Sequence, residues 1–169
     1  MNLIEKISNI LFRPSKFFSQ LEKETNINKP FAYYLILQIF YTILTTAILY
    51  YWPRAYTFLF PIFFDGLATK ELMKATLIGF ITGVLLSFVI SGLLYVWLRL
   101  FKGKRPYYDA YKLYVYSETP SLVFGWVPLL NFVVWIYSLV LLIIGTHKMY
   151  KMSGLKATLI YIIPLVIIL

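Results

Sequence analysis

The first twelve residues place Leu3, Ile4, Ile7, Ile10 and Leu11 at helical spacing, with Glu5, Lys6, Ser8 and Asn9 on the opposite face, the pattern of an amphipathic helix. Arg13 and Pro14 interrupt it. A second short pattern follows, with Phe17, Phe18 and Leu21 on one side and Lys16, Lys23 and Glu24 on the other. Both are too short and too polar to cross a bilayer. Residues 1–29 are therefore expected to lie in the headgroup plane or against a helix bundle, with Phe and Leu dipping into the acyl boundary. The pattern then changes character. Residues 30–53 are 24 positions without a charge, framed by Lys29 and Arg54, and about 20 suffice to cross hydrocarbon as a helix. Tyr33 and Tyr34 at one end, and Tyr50, Tyr51 and Trp52 at the other, fit aromatic anchors at the two interfaces. Residues 56–64 are apolar but short and hold Pro61, which suits an interfacial loop, and Asp65 with Gly66 turns the chain back.

Residues 75–98 form a second charge-free run of 24. Thr69 and Glu71 suit the start of its helix, giving a span over about 72–100. The basic segment 99–112, with Gly103, Pro106, Tyr107, Tyr108 and Asp109, reads as a surface loop. After it, 34 residues (113–146) carry one charge, Glu118, too many for one span and barely enough for two. Charge decides between these. A hairpin turning at Trp126 to Asn131, around Pro128, leaves thirteen basic residues on the side of the N-terminus and three opposite. One long span would divide them ten to six, a poorer fit to the preference for Lys and Arg inside. The chain closes on an apolar run over 157–169, lengthened slightly by starting at Gly154, which reaches about 20 Å at helical rise and so calls for local thinning or a short bundle. The expectation is an all-α membrane protein. It has an interfacial segment 1–29 and a five-helix membrane domain 30–169, with spans near 30–53, 72–100, 111–127, 131–147 and 154–169. An odd number of spans puts the N-terminus in the cytoplasm and the C-terminus outside.

Composition agrees, with 60% hydrophobic, 20% aromatic and 14% charged residues, far from the balance of a soluble domain. Sixteen Lys plus Arg against seven Asp plus Glu give +9. In a membrane chain that excess marks cytoplasmic edges and contact with anionic headgroups, so no nucleic-acid partner is needed. The absence of cysteine excludes disulfides and thiolate catalysis. A single histidine, His147, excludes a multi-His metal site, and His147 beside Lys148 reads as an interface residue. Glu5 and Lys6 interrupt the N-terminus where a cleavable signal would be apolar, so the first span is expected to serve as insertion signal.

Nothing resembles a nucleophile elbow, phosphate loop, carboxylate pair or zinc-protease helix, so neither an enzyme nor a bound cofactor is expected. Two patterns remain. Gly79, Gly83, Ser87 and Ser91 recur every four residues along the second span and line one face, where small side chains let another helix approach. That helix belongs either to the same chain or to a second copy. Glu118 is the acid well inside a span, about 10 Å below the Tyr111 end of its helix. It either binds or relays a cation from the bundle interior, or it is a protonated or Lys-paired carboxyl satisfying backbone groups opened by Pro120.

Several features together resemble the Yip family, the Ypt/Rab-interacting membrane proteins, in its bacterial and archaeal form. They are Arg13-Pro14 with Phe17 and Phe18, the block Tyr116-Ser117-x-x-Pro120, the Pro128 turn, and the stretch IGTHKMYKMSGLKA that ends at Ala157. Eukaryotic members carry a Gly-Tyr-Ser-x-x-Pro-like block in the third span, and Val115 stands here in place of the glycine. Their Asp-Leu-Tyr-Gly-Pro motif is absent. The resemblance implies a five-helix membrane domain with a cytoplasmic N-terminus, in a prokaryotic inner or plasma membrane. Two functions follow as expectations. One is a non-enzymatic scaffold that organises the bilayer, further copies of itself or other membrane proteins. The other is a small-molecule or ion transporter using Glu118, with Tyr116, Ser117 and Pro120 around it in a broken third helix.

Overall fold

The computed structural model describes residues 2–21, 25–52 and 69–168. The expected interfacial loop 56–64 with Pro61, the turn at Asp65 and Gly66, Arg54, and Lys23 and Glu24 lie outside them. The described residues form helices and no strand, in the order α1 (Leu3–Phe12), α2 (Pro14–Gln20), α3 (Asn28–Tyr51), α4 (Thr69–Leu100), α5 (Tyr107–Ser117), α6 (Thr119–Phe124), a 3-10 turn (Pro128–Leu130), α7 (Asn131–Met149) and α8 (Gly154–Ile168). Three stretches are long and apolar enough to cross a membrane: Asn28–Tyr51, Lys74–Leu100 and Pro128–Met149. Within the most apolar window of the second, only 11% of residues are buried by protein. Leu77, Ile81, Leu85, Val89 and Leu93 all stand exposed along α4, which is tolerable where lipid is the solvent and costly where water is.

The central element is α5, whose Tyr111, Lys112, Leu113, Val115 and Tyr116 are fully buried. It packs against α4, α3 and α7. Here the structure differs from the sequence expectation. The basic segment 99–112 is not one surface loop, because α5 begins at Tyr107 and Lys112 lies in its second turn with no exposed surface. The third segment, expected over 111–127 as a helix broken at its proline, is indeed interrupted but stops earlier. It breaks between Ser117 and Thr119 and ends at Phe124. The chain then reverses where Pro128 and Asn131 anticipated it, with Asn131 Nδ2 donating to Gly125 O at 3.2 Å, and α7 returns along α5 and α6.

The N-terminal pair lies against the bundle. Asn2 caps α1, its Oδ1 accepting from Glu5 N at 2.7 Å. Ile10, Phe17, Phe18 and Leu21 are buried in the common core, so the two phenylalanines fill protein and not the acyl boundary. A helix end leaves carbonyls without partners, and the bundle satisfies one from each short helix. Tyr137 Oη donates to Leu11 O, and Lys112 Nζ donates to Leu21 O at 3.0 Å. The buried face of α1 is rotated from the one expected: Lys6 turns inward beside Ile7 and Ile10, while Ile4 (78% exposed) and Phe12 (80%) face away from the protein.

Candidate functional site

The break in the third segment is built by Pro120. Proline has no N–H and its ring crowds the carbonyl four residues back, here that of Tyr116. Thr119 repairs the loss, its Oγ1 donating to Tyr116 O at 2.8 Å. That hydroxyl is engaged as a donor, so Tyr33 Oη, 2.9 Å from Thr119 Oγ1, donates to it in turn. Above the break, Lys6 Nζ donates to Tyr116 Oη at 3.0 Å and lies 4.9 Å from the Tyr116 ring centroid and 5.4 Å from that of Tyr33, cation–π range. Phe17 and Tyr33 close on the Tyr116 ring edge-on, at 5.1 and 5.2 Å between centroids. Tyr116 is thereby a hub joining α1, α2, α3 and α5.

Pro164 repeats the device in α8. The carbonyl four residues back is Ile160 O, and Trp97 Nε1 of α4 donates to it at 3.0 Å. Both prolines thus leave an open carbonyl at bundle depth, and both carbonyls are covered by a side chain, as backbone in a low-dielectric medium requires.

The candidate residues are distributed around this break. Tyr116, Ser117 and Thr119 are buried without exposed surface, and the Ser117 hydroxyl has no hydrogen-bond partner among the described residues. Glu118 is the residue between the two helices and is half-buried. Its carboxylate makes no ion pair among the described residues, so the Lys-paired alternative is not what is seen. Nor does Glu118 cover the carbonyl opened by Pro120, because Thr119, whose hydroxyl reaches back three residues, does so. Ser121 and Ser138 meet at 2.9 Å and tie α6 to α7.

The stripe on α4 divides. Gly83 meets α3, with Tyr34 Oη donating to Gly83 O at 3.1 Å and the Gln38 amide 2.7 Å from where a Cβ would be. Ser87 and Ser91 are buried, and Ser91 Oγ lies 3.0 Å from Tyr107 Oη of α5. Gly79 has nothing within 4 Å of its Cβ position among the described residues and makes no close approach to any of them. A tighter crossing escaped the sequence pattern. At Gly145 of α7 a Cβ would sit on Leu113 Cδ1 and 3.0 Å from the Phe18 ring, so α2, α5 and α7 meet at a glycine. Its place in the IGTHKMY stretch was the available signal.

Polar contacts concentrate at the end of the bundle where α4 and α7 stop. Asp109 is buried and pairs with Lys112 at 2.7 Å and Arg105 at 3.6 Å. Lys112 also lies over the Tyr108 ring at 5.2 Å. His147 Nδ1 lies 2.6 Å from Met152 O and braces the turn after α7. Lys156 Nζ donates to Phe101 O at 2.7 Å, bridging the ends of α8 and α4. Sequence spacing had no means of finding Asp109 and Lys112 as a pair, since both stood in a segment read as solvated.

Fold and site define an all-helical membrane protein whose N-terminal helices are locked into its core around Tyr116. The chain belongs to the Yip1 family: the Yip1 domain matches residues 8–169, nearly its whole length. An uncharacterized protein of Methanocaldococcus jannaschii is 28% identical over 127 residues, covering 73% of this chain and 82% of that protein. No solved structure matches.

Proposed function

We propose that this Yip1-family chain is a non-enzymatic membrane organiser, acting through close helix packing and through the apolar edge of its docked N-terminal helices. The observation that carries this is α1, held to the bundle by Lys6, Ile10 and Leu11, with Ile4 and Phe12 turned outward. A helix fixed in that way presents a shallow apolar wedge to the bilayer boundary. In the proposed topology α3, α4, α5 with α6, α7 and α8 make five crossings of a prokaryotic inner or plasma membrane, N-terminus in the cytoplasm and C-terminus outside. The 18 residues of 107–124 would reach about 27 Å if straight and the 15 of α8 about 22 Å, short crossings that suit local thinning. Partners are anionic lipid and other membrane proteins, a second copy included. Purified protein in liposomes is the test: vesicle deformation or self-association that weakens with Ile4→Ser and Phe12→Ser supports the proposal. Neither effect in the parent protein rejects it.

A transport function is favoured by one observation, the half-buried Glu118 at a helix break, with no ionic partner among the described residues, beside the Ser117 hydroxyl, which has no hydrogen-bond partner among them, since interrupted helices often form substrate sites. Proteoliposome flux lost in Glu118→Gln supports it. No flux in the parent, or flux indifferent to the change, removes it.

A further inference from the structure

At the end of the bundle where α4 and α7 stop lies a cavity of about 360 Å³, lined by Lys102, Lys104, Arg105, Asp109, Tyr150 and Lys151 among others. Four of these side chains are basic and one is acidic, and the acid is already held by Lys112 and Arg105. Lys102 and Lys104 are exposed and make no ion pair among the described residues. Tyr150 adds a hydroxyl with no hydrogen-bond partner among them. Burial, with the nearby Asp109 charge adding to it, pushes that hydroxyl well above the usual tyrosine range, so it stays a donor.

The backbone singles out two of the lysines. Lys102 N donates to Arg99 O at 3.0 Å and Gly103 N to Leu98 O at 2.9 Å, the pair of bonds that closes a helix with its next residue left-handed. Glycine is the residue that takes that conformation without strain, yet Lys102 takes it at φ 65°. Lys151, two residues past the end of α7, does the same at φ 52°. These are the non-glycine positive-φ residues of the described chain, and both line the one cavity. Strain tolerated at two helix ends in favour of a cationic side chain is the kind of outlier from which a site is argued.

Position then narrows the ligand. The stretches Lys74–Leu100 and Pro128–Met149 are long and apolar enough to cross a membrane, and their ends supply the walls. An apolar groove of about 550 Å³ runs between α4 and α8, lined by Leu93, Trp97, Leu100, Ile160 and Pro164 among others. Leu100 of the groove and Lys102 of the cavity are two residues apart, at most about 8 Å along the chain. A cationic socket thus stands next to an apolar channel.

We propose that the cavity binds the phosphate of an anionic phospholipid, with an acyl chain of the same molecule along the α4–α8 groove. Lys102, Lys104 and Lys151 supply charge, Arg105 a planar fork suited to phosphate oxygens, and Tyr150 a neutral donor. The site requires only that α4 and α7 end here, so it stands or falls apart from the span count and the organiser role.

Native mass spectrometry of the detergent-purified full chain tests it, with phosphatidylglycerol, phosphatidylcholine and inorganic phosphate as probes. Phosphatidylglycerol should be retained at least tenfold better than phosphatidylcholine. Lys102→Gly/Lys151→Gly should lose that preference while unfolding no earlier on heating, because glycine relieves both backbones. Lys16→Gln/Lys29→Gln, which remove exposed lysines elsewhere, should leave it unchanged. Equal retention of the two lipids, full retention in the glycine variant, or equal loss in the control variant would overturn the site. Displacement of the lipid by inorganic phosphate at matching concentration would overturn its assignment to phospholipid.

Discussion

At Gly145 a methyl group has nowhere to go, since Leu113 and Phe18 are both fully buried and occupy the space. Overfilling a packed interior costs about 1–3 kcal/mol, while replacing a mid-helix glycine by alanine returns about 1 kcal/mol in propensity. Gly145→Ala is therefore expected to lower the unfolding temperature of the purified protein in detergent. Gly79→Ala, with open space around it, should leave it level or raise it. The Asp109–Lys112 pair is the second residue-scale case. Removing one partner of a buried ion pair leaves the other uncompensated, at about 3–5 kcal/mol. Asp109→Asn and Lys112→Met should each destabilise strongly and the double variant by less than their sum, a coupling that a thermodynamic cycle reads directly. Additive losses would mean that the pair is not what holds these side chains.

For the elements, the question is why α1 and α2 dock at all. Lipid tails are as apolar as leucine, so Phe17 and Phe18 gain little in transfer from acyl chains to the protein interior. Polar anchors decide it: Lys6 on Tyr116, Tyr137 on the end of α1, Lys112 on the end of α2. Placing a carboxylate at fully buried Ile10 strips α1 from this seat, because an unpaired buried charge is far costlier than a helix in the headgroups. Ile10→Asp is expected to speed tryptic cleavage after Lys6, which the seated helix holds against Tyr116, several-fold while leaving the rest of the chain protected. Unaltered cleavage would show that α1 is not seated as described. The two proline repairs belong to this scale too, since each joins a break in one helix to a donor chosen by the fold.

For the whole molecule, the absence of cysteine makes topology directly measurable. Single cysteines at Asn2, Lys104 and Ser153 should react with an impermeant maleimide only from the cytoplasmic face, and one at Leu129 only from outside. Lys104 and Leu129 labelled from the same side would break the hairpin topology. This is the orientation proposed above, in which thirteen basic residues would stand inside and three outside, as the preference for Lys and Arg at cytoplasmic edges expects.

Much of the architecture was legible in the chain itself. Uninterrupted apolar runs announce helices that lipid can solvate, because backbone groups in hydrocarbon must pair within their own segment. Proline at 120 and 128 marked a break and a turn for a local reason, a missing N–H. The candidate site was legible only in outline. Tyr116, Ser117, Glu118 and Pro120 could be singled out as candidates, but Thr119 and Tyr33 as repair of the break, Lys6 as its cation, and the Asp109–Lys112 pair could not. Spacing along a helix says which side chains share a face. It cannot say which donor from a distant segment will reach an orphan carbonyl, or whether a lysine beside tyrosines is solvated or sealed. Those choices depend on how apolar faces of similar quality are matched in three dimensions, and in a medium that rewards them almost equally, the few polar contacts settle the packing.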